Sequence, residues 1–340
     1  MNDTTRVSQT PQAIQAPQLL QATQVIQMPH AARMAQQPVR FGADDALVGM
    51  ITTPAGQAPA AVACLMFNMG ANHRVGPRRI NVKLAHALAA RGVGSLRLDL
   101  GGIGDSDAPA TADDLPSRAV RDLRAGMDLL EETLGIREFV IVGMCSGAEH
   151  AMSTAAADAR VVGLSLFDGY AFPQRRTRWE RTLRRALAAP AHPSFAGKTR
   201  RWLKRHVLRS EAARPMPGFF TQEISPEATA AWFGRTMALL AERNVAMQLL
   251  YSGSLHVCDR DRDQLGAFRS EPFAQALHYE FMREVDHTVC TAEGQQLFLE
   301  AVGDWVAERC MGANASTGRR GAGRPAANAP RPMPARRAAP

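Results

Sequence analysis

Between residues 61 and 310, short apolar runs alternate with longer stretches whose apolar residues recur every three to four positions. That alternation constrains the fold more than any other feature, because strands joined by helical crossovers must lie parallel in a sheet covered on both faces. The strands are "AVACLMFN" (61–68), "GVGSLRLDL" (92–100), "EFVIVG" (138–143), "VVGLSLF" (161–167), "AMQLLYS" (246–252) and "ALHYEFMREV" (276–285). Ile80, Leu84 and Leu88 mark one helix, and Val120, Leu123, Met127, Leu130 and Leu134 mark another that stops at Gly135. "SGAEHAMSTAAADA" is a third, Ser225 and Pro226 open a fourth as N-cap and first-turn proline, and 291–310 is the closing helix. "PVRFG" and "ALVGMIT" precede them as a two-stranded start. The expected class is α/β with a mostly parallel, doubly covered sheet.

Both ends depart from this pattern. From Gln9 to Gln27 a Gln falls on every third residue, a period that suits neither helix nor strand. The last stretch, 312–340, consists almost wholly of Gly, Pro, Ala and Arg, with little to bury. The expected organisation is therefore a tail over 1–37, a domain over 38–311 and a second tail over 312–340. Net charge is +8, but Arg175 to Arg214 holds 13 Lys/Arg against 2 Glu, and the final tail holds 6 Arg and no acid. The rest of the chain is acidic, so the basicity belongs to one insertion and one tail. No run of ~18 apolar residues reaches membrane-spanning length, and the polar N-terminus lacks the layout of a secretory signal. Cys64, Cys145, Cys258, Cys290 and Cys310 are odd in number and show no CxxC spacing. A reduced, cytoplasmic protein is expected, with neither a disulfide framework nor a metal site, and no cofactor.

The chemistry centres on "IVGMCSGAEHA" (141–151), a strand-to-helix turn with two adjacent reactive side chains, Cys145 and Ser146. In a nucleophile elbow the residues two before and two after the tip must be very small. With Cys145 at the tip those residues are Gly143 and Gly147; with Ser146 they would be Met144 and Ala148, and the methionine would clash. The frame G-x-C-x-G thus selects Cys145, and Ser146 lends its backbone N–H to an oxyanion hole. A thiol at a helix N-terminus is also expected to have a lowered pKa. The structural alternative is a Gly-rich turn with a buried cysteine.

Of nine histidines, His287 in "EVDHTVC" is the candidate base, since it falls just past the last strand and before the last helix, at the carboxyl edge where Cys145 emerges. The alternative is a loop histidine beside a solvated Asp286. The acid is less clear. The turn after the penultimate strand, "YSGSLHVCDRDRDQ", has no immediate carboxylate, and Asp259, Asp261 and Asp263 come later. Asp168 in "SLFDGYAF" ends the strand after the elbow helix and would reach the same edge, where it could hold the imidazole tautomer. Asp168 is preferred; a turn-forming Asp-Gly is the alternative.

From about Val39 to Arg309 the chain resembles α/β-hydrolases of the serine-aminopeptidase-like group. The resemblance rests on "FNMGANHRVGPRRINVKLAHALAARGVGSLRLDLGGIGDS", which is similar to the oxyanion loop and the following D-x-x-G-x-G-x-S turn. "VGMCSGAEHA", "LFDGYAFPQRRTR", "YSG" and "DHT" more closely resemble hydrolases found with bacterial exopolysaccharide and exosortase-type gene clusters. The resemblance implies an α/β-hydrolase fold with Cys145 as nucleophile, His287 as base, the amides of Met69 and Ser146 as oxyanion hole, and a helical lid at about 171–224. Cysteine replaces the usual serine, as in dienelactone hydrolases, "NMG" replaces the common His-Gly, and Gly101 stands where many relatives have Arg.

A Cys nucleophile attacks esters and thioesters readily, whereas amides favour expulsion of the thiolate. The expected function is ester or thioester cleavage through an acyl-enzyme, on a small-molecule or lipid-linked acyl substrate. Acyl transfer to a sugar hydroxyl, or a non-catalytic scaffold in polysaccharide assembly, are the alternatives. In the insertion, Trp179, Leu183 and Leu187 recur among Arg176, Arg178, Arg181, Arg184 and Arg185, and Trp202 and Leu203 lie in "KTRRWLKRHVLR". This suits either a lid resting on an anionic membrane surface or an amphipathic cover with a solvated basic face. No nucleic-acid partner is expected, because no recognisable module accompanies the charge and aromatics are only 6%.

Overall fold

The computed structural model describes residues 34–56, 58–109, 113–172, 179, 225–253 and 263–316. The strands are β1 (Met34–Phe41), β2 (Leu47–Pro54), β3 (Val62–Met66), β4 (Ser95–Asp99), β5 (Glu138–Met144), β6 (Val161–Phe167), β7 (Ala246–Ser252) and β8 (His278–Met282). Among the described residues they form one sheet in the order β1-β2-β4-β3-β5-β6-β7-β8. The β1–β2 and β2–β4 pairs are antiparallel and every later pair is parallel.

Alternation along each strand feeds two cores. In β5, Phe139 and Ile141 enter one cluster while Val140 and Val142 enter the other, and all four are buried. Helices α1 (Ile80–Ala90) and α5 (Ala292–Ser316) cover one face through Ile80, Leu84, Leu88, Phe298 and Val302. Helices α2 (Leu115–Leu134), α3 (Gly147–Ala157) and α4 (Pro226–Glu242) cover the other through Leu123, Met127, Met152, Phe233 and Met237. Each such fully buried side chain contributes about 1.5–3 kcal/mol relative to exposure. The helix starts follow their caps: Asp114 accepts from the Ser117 N–H at 3.0 Å, and Ser225 accepts from the Ala228 N–H at 3.1 Å. Gly135 closes α2 at φ +69°. No helix among the described residues is long and apolar enough to cross a membrane.

Three boundaries differ from the sequence expectation. β1 starts at Met34, inside the stretch assigned to the tail, because "MAQQ" pairs with Pro54 to Ile51 as a polar edge strand. β8 is shorter than 276–285 and stops at Met282, where the chain turns. α5 runs on to Ser316, past residue 311. The basic insertion lies outside the described residues apart from Ala171, Phe172 and Trp179, as do residues 1–33 and 317–340. This is the α/β-hydrolase fold. Strand order reverses around β3: its successor β4 lies on one side and β5 on the other, which opens a crevice at their carboxyl ends.

Candidate active site

Cys145 follows the last residue of β5 at φ +53°, whereas Ser146 has helical angles of φ −61° and ψ −25°. The tip of the turn is therefore Cys145, in a conformation that costs an L-residue about 1–2 kcal/mol. Its N–H donates to the Phe167 carbonyl at 2.8 Å, extending the β5–β6 ladder up to the turn itself. A Cβ at Gly143 would lie 2.8 Å from the Gly147 carbonyl oxygen, and one at Gly147 would lie 3.2 Å from the Asn68 carbonyl oxygen. Gly143 admits no side chain and Gly147 leaves little room for one, in line with the small residues that the sequence frame implies.

Asp168 leaves the end of β6 at φ +49°, with its N–H donating to the Leu250 carbonyl at 2.9 Å. One carboxylate oxygen accepts from the Ser252 N–H at 2.7 Å; the other is 2.8 Å from His287 Nδ1. An ionised carboxylate only accepts, so Nδ1 carries the proton and Nε2 keeps its basic lone pair. The Asp168 side chain is fully buried while the His287 ring is 25% exposed, so the pair has one dry end and one open end. Asp286 is partly exposed but does more than face solvent. Its carboxylate accepts from the Thr288 N–H at 2.9 Å, the Thr288 hydroxyl at 2.8 Å and the Cys290 N–H at 2.7 Å, shaping the loop that carries His287. Gly253 brings β7 against that loop, donating to the Met282 and Val285 carbonyls at 3.0 and 2.9 Å. Asp259 and Asp261 lie outside the described residues, as does the Asp263 side chain.

The loop after β3 faces the elbow. The Gly70 N–H, at φ +58°, donates to the Ser146 hydroxyl at 2.9 Å, so the second reactive side chain ties the loop to the elbow. The Met69 carbonyl accepts from the Asn72 backbone and side chain at 3.1 and 2.8 Å, while the Met69 N–H has no partner among the described residues. Asn68 anchors the loop from beneath, donating to the Asn72 carbonyl at 2.7 Å and to Asp99 at 2.8 Å and accepting from the Leu100 N–H at 2.7 Å. Asn81 adds two bonds to the Phe67 and Arg74 carbonyls, both at 3.2 Å. Sequence reasoning missed Asn68, Asn81 and Asp99; the Asp in "RLDL", an acid inside an apolar strand, was the available signal.

The helix N-terminus does not lower the Cys145 pKa. Burial pushes the thiol up, the Ser146 N–H offsets part of that rise, and the nearby Asp168 charge adds to it. His73, Asp99 and Asp105 place ligand-type atoms within 4.8 Å of one another. The Arg74 guanidinium sits among them, bonded to Asp99, to Asp105 at 2.7 Å and to His73 Nε2 at 2.7 Å, so a side-chain cation already occupies that position. On the other side of the elbow, Tyr170 shares a hydrogen bond with Glu149 in the first turn of α3. Tyr170 also opens an aromatic cluster with Phe172, Trp232 and Phe233, whose ring centroids are 4.9–6.3 Å apart.

No family model matches the chain, and no curated protein matches it. Solved structures do. Est1E from Butyrivibrio proteoclasticus superposes with a TM-score of 0.50 at 12% identity, over 81% of this chain and 99% of that one. The α/β hydrolase GrgF from Penicillium sp. sh18 gives 0.49 at 17% identity, over 82% and 99%. An a/b serine hydrolase without lid from Xanthomonas campestris gives 0.47 at 12% identity, over 84% and 96%. At these identities the likeness is one of fold.

Proposed function

We propose that this chain is a hydrolase that cleaves an ester or thioester through an acyl group held on Cys145. The observation that carries the reading is Cys145 at positive φ between Gly143, which admits no Cβ, and the tightly packed Gly147, beside an Asp168–His287 pair at the same sheet edge.

In the reaction, His287 Nε2 takes the thiol proton as Cys145 Sγ bonds to the acyl carbon. The N–H groups of Met69 and Ser146 hold the developing oxyanion. Collapse of the tetrahedral intermediate breaks the bond to the alcohol or thiol, which leaves with the proton from His287. Water then gives a proton to His287 and attacks the thioester; the acid departs and the proton returns to sulfur. Burial raises the thiol pKa, which favours proton transfer in step with attack over a standing thiolate. Asp168 keeps Nδ1 protonated and stabilises the imidazolium. A sugar hydroxyl in place of water would make the same site a transferase. A role among exopolysaccharide-cluster hydrolases rests on the motif resemblance.

Turnover of a panel of acyl esters and thioesters tests this. Cys145→Ala is expected to abolish turnover. Ser146→Ala loses only the bond to Gly70, worth about 0.5–1.5 kcal/mol, and is expected to stay within about tenfold of the parent. A dead Ser146→Ala beside an active Cys145→Ala would reverse the assignment.

A further inference from the structure

On the face of the sheet covered by α1, strand pairing aligns Gln36, Thr52 and Ser95 side by side, and Arg97 lies two residues further along the same face of β4. Thr52 and Ser95 are 0% exposed and Arg97 is 4% exposed. The Thr52 hydroxyl, the Ser95 hydroxyl and Arg97 Nε are all buried without a hydrogen-bond partner among the described residues. Asp99, the next residue on that face, is the natural counter-ion for Arg97, but its carboxylate accepts from Asn68, from the Arg74 backbone and guanidinium, and from the Asp105 N–H. The α1 side adds no acid: His86 Nε2 meets Gln36 Nε2 at 2.6 Å, and Arg79 stands at the start of the helix. Burial, then the charges of Arg74 and Arg79, push Arg97 down to about 10, and burial, Arg97 and Arg79 lower His86. A buried guanidinium among other cations, beside two orphaned hydroxyls, is unfavourable unless something negative joins it.

We propose that this cluster binds a small inorganic oxyanion of the phosphate or sulfate type. The Arg97 fork would donate to two of its oxygens, the hydroxyls of Thr52 and Ser95 to others, and Arg79 would add charge from the rim. With Thr52 and Ser95 fully buried, an ion carrying no organic remainder is the ligand that this cluster would take. The site is independent of the chemistry at Cys145.

Thermal unfolding of the full chain tests this, with phosphate or sulfate titrated against chloride at constant ionic strength. A saturable rise in Tm with the oxyanions and not with chloride is expected. It should be lost in Arg97→Met and weakened several-fold in Thr52→Val, which keeps the volume and removes one donor. If Arg97→Met does not fold, Thr52→Val decides. Because the variants keep the basic insertion and the basic C-terminal tail, nonspecific phosphate binding there would survive the substitutions. A response in Thr52→Val and any folded Arg97→Met equal to the parent's, or equal stabilisation by chloride, would overturn the proposal. Glycerol phosphate is expected to give no rise; one matching inorganic phosphate would overturn the assignment to a free ion.

Discussion

At Cys145 two demands on one residue pull apart. The elbow needs a side chain at positive φ with glycines packed behind it, and that packing half-buries the sulfur near the Asp168 carboxylate. The thiol pKa is therefore raised, although the neighbouring N–H and the helix end favour thiolate. Alkylation of Cys145 by iodoacetamide, followed by peptide mass against pH, is expected to reach its plateau above the pH at which a free cysteine does. A plateau well below that point would mean a standing thiolate–imidazolium pair. Asp168 is the other residue with a single expected consequence. Asparagine there can offer its amide to the ring and select the wrong tautomer, so kcat for ester hydrolysis should fall by up to ~10⁴ in Asp168→Asn. A near-normal rate, with loss in Asp261→Asn instead, would move the acid to the later segment.

Among elements, strands and helices with regular apolar spacing are legible in the sequence. β5, β6 and β7 alternate buried residues between two faces, and α2 shows its stripe and its terminating glycine. The elbow was legible because its glycines sit at fixed offsets, and His287 because it falls between a strand and a helix. The loop after β3 was not. Asn68, Asn81 and Asp99 come from a loop, a helix and a strand, and no local period links them; only the fold makes their bonds converge. The start of β1 is hidden for a related reason: an edge strand can carry Gln37 toward solvent and Gln36 against a helix histidine, and so look like the polar linker before it. The preference for Asp168 came from strand order alone. Its bonds to both Ser252 and His287 depend on β6, β7 and β8 lying side by side, which sequence spacing does not display.

Over the whole molecule, the acidic body and the basic insertion form a charge asymmetry, and Trp179, at the insertion's start, is 66% exposed. An insertion that rests on anionic lipid would combine such aromatic contact with about 1 kcal/mol per nearby basic residue. A chain ending at Ser316 keeps α5 whole and removes the C-terminal arginines. It is expected to bind phosphatidylserine vesicles at low salt, to release them as salt shortens the Debye length below ~8–10 Å, and to bind less after Arg181, Arg184 and Arg185 are replaced by Gln. No binding at low salt would leave the insertion as a cover with a solvated basic face. The chemistry beneath it is tested most directly by intact-mass spectrometry of the full chain quenched during turnover of an activated acyl ester. An adduct equal in mass to the acyl group, mapped to Cys145 and absent from Cys145→Ala, is the expected result. An adduct on Ser146, or hydrolysis that continues in Cys145→Ala, would contradict it.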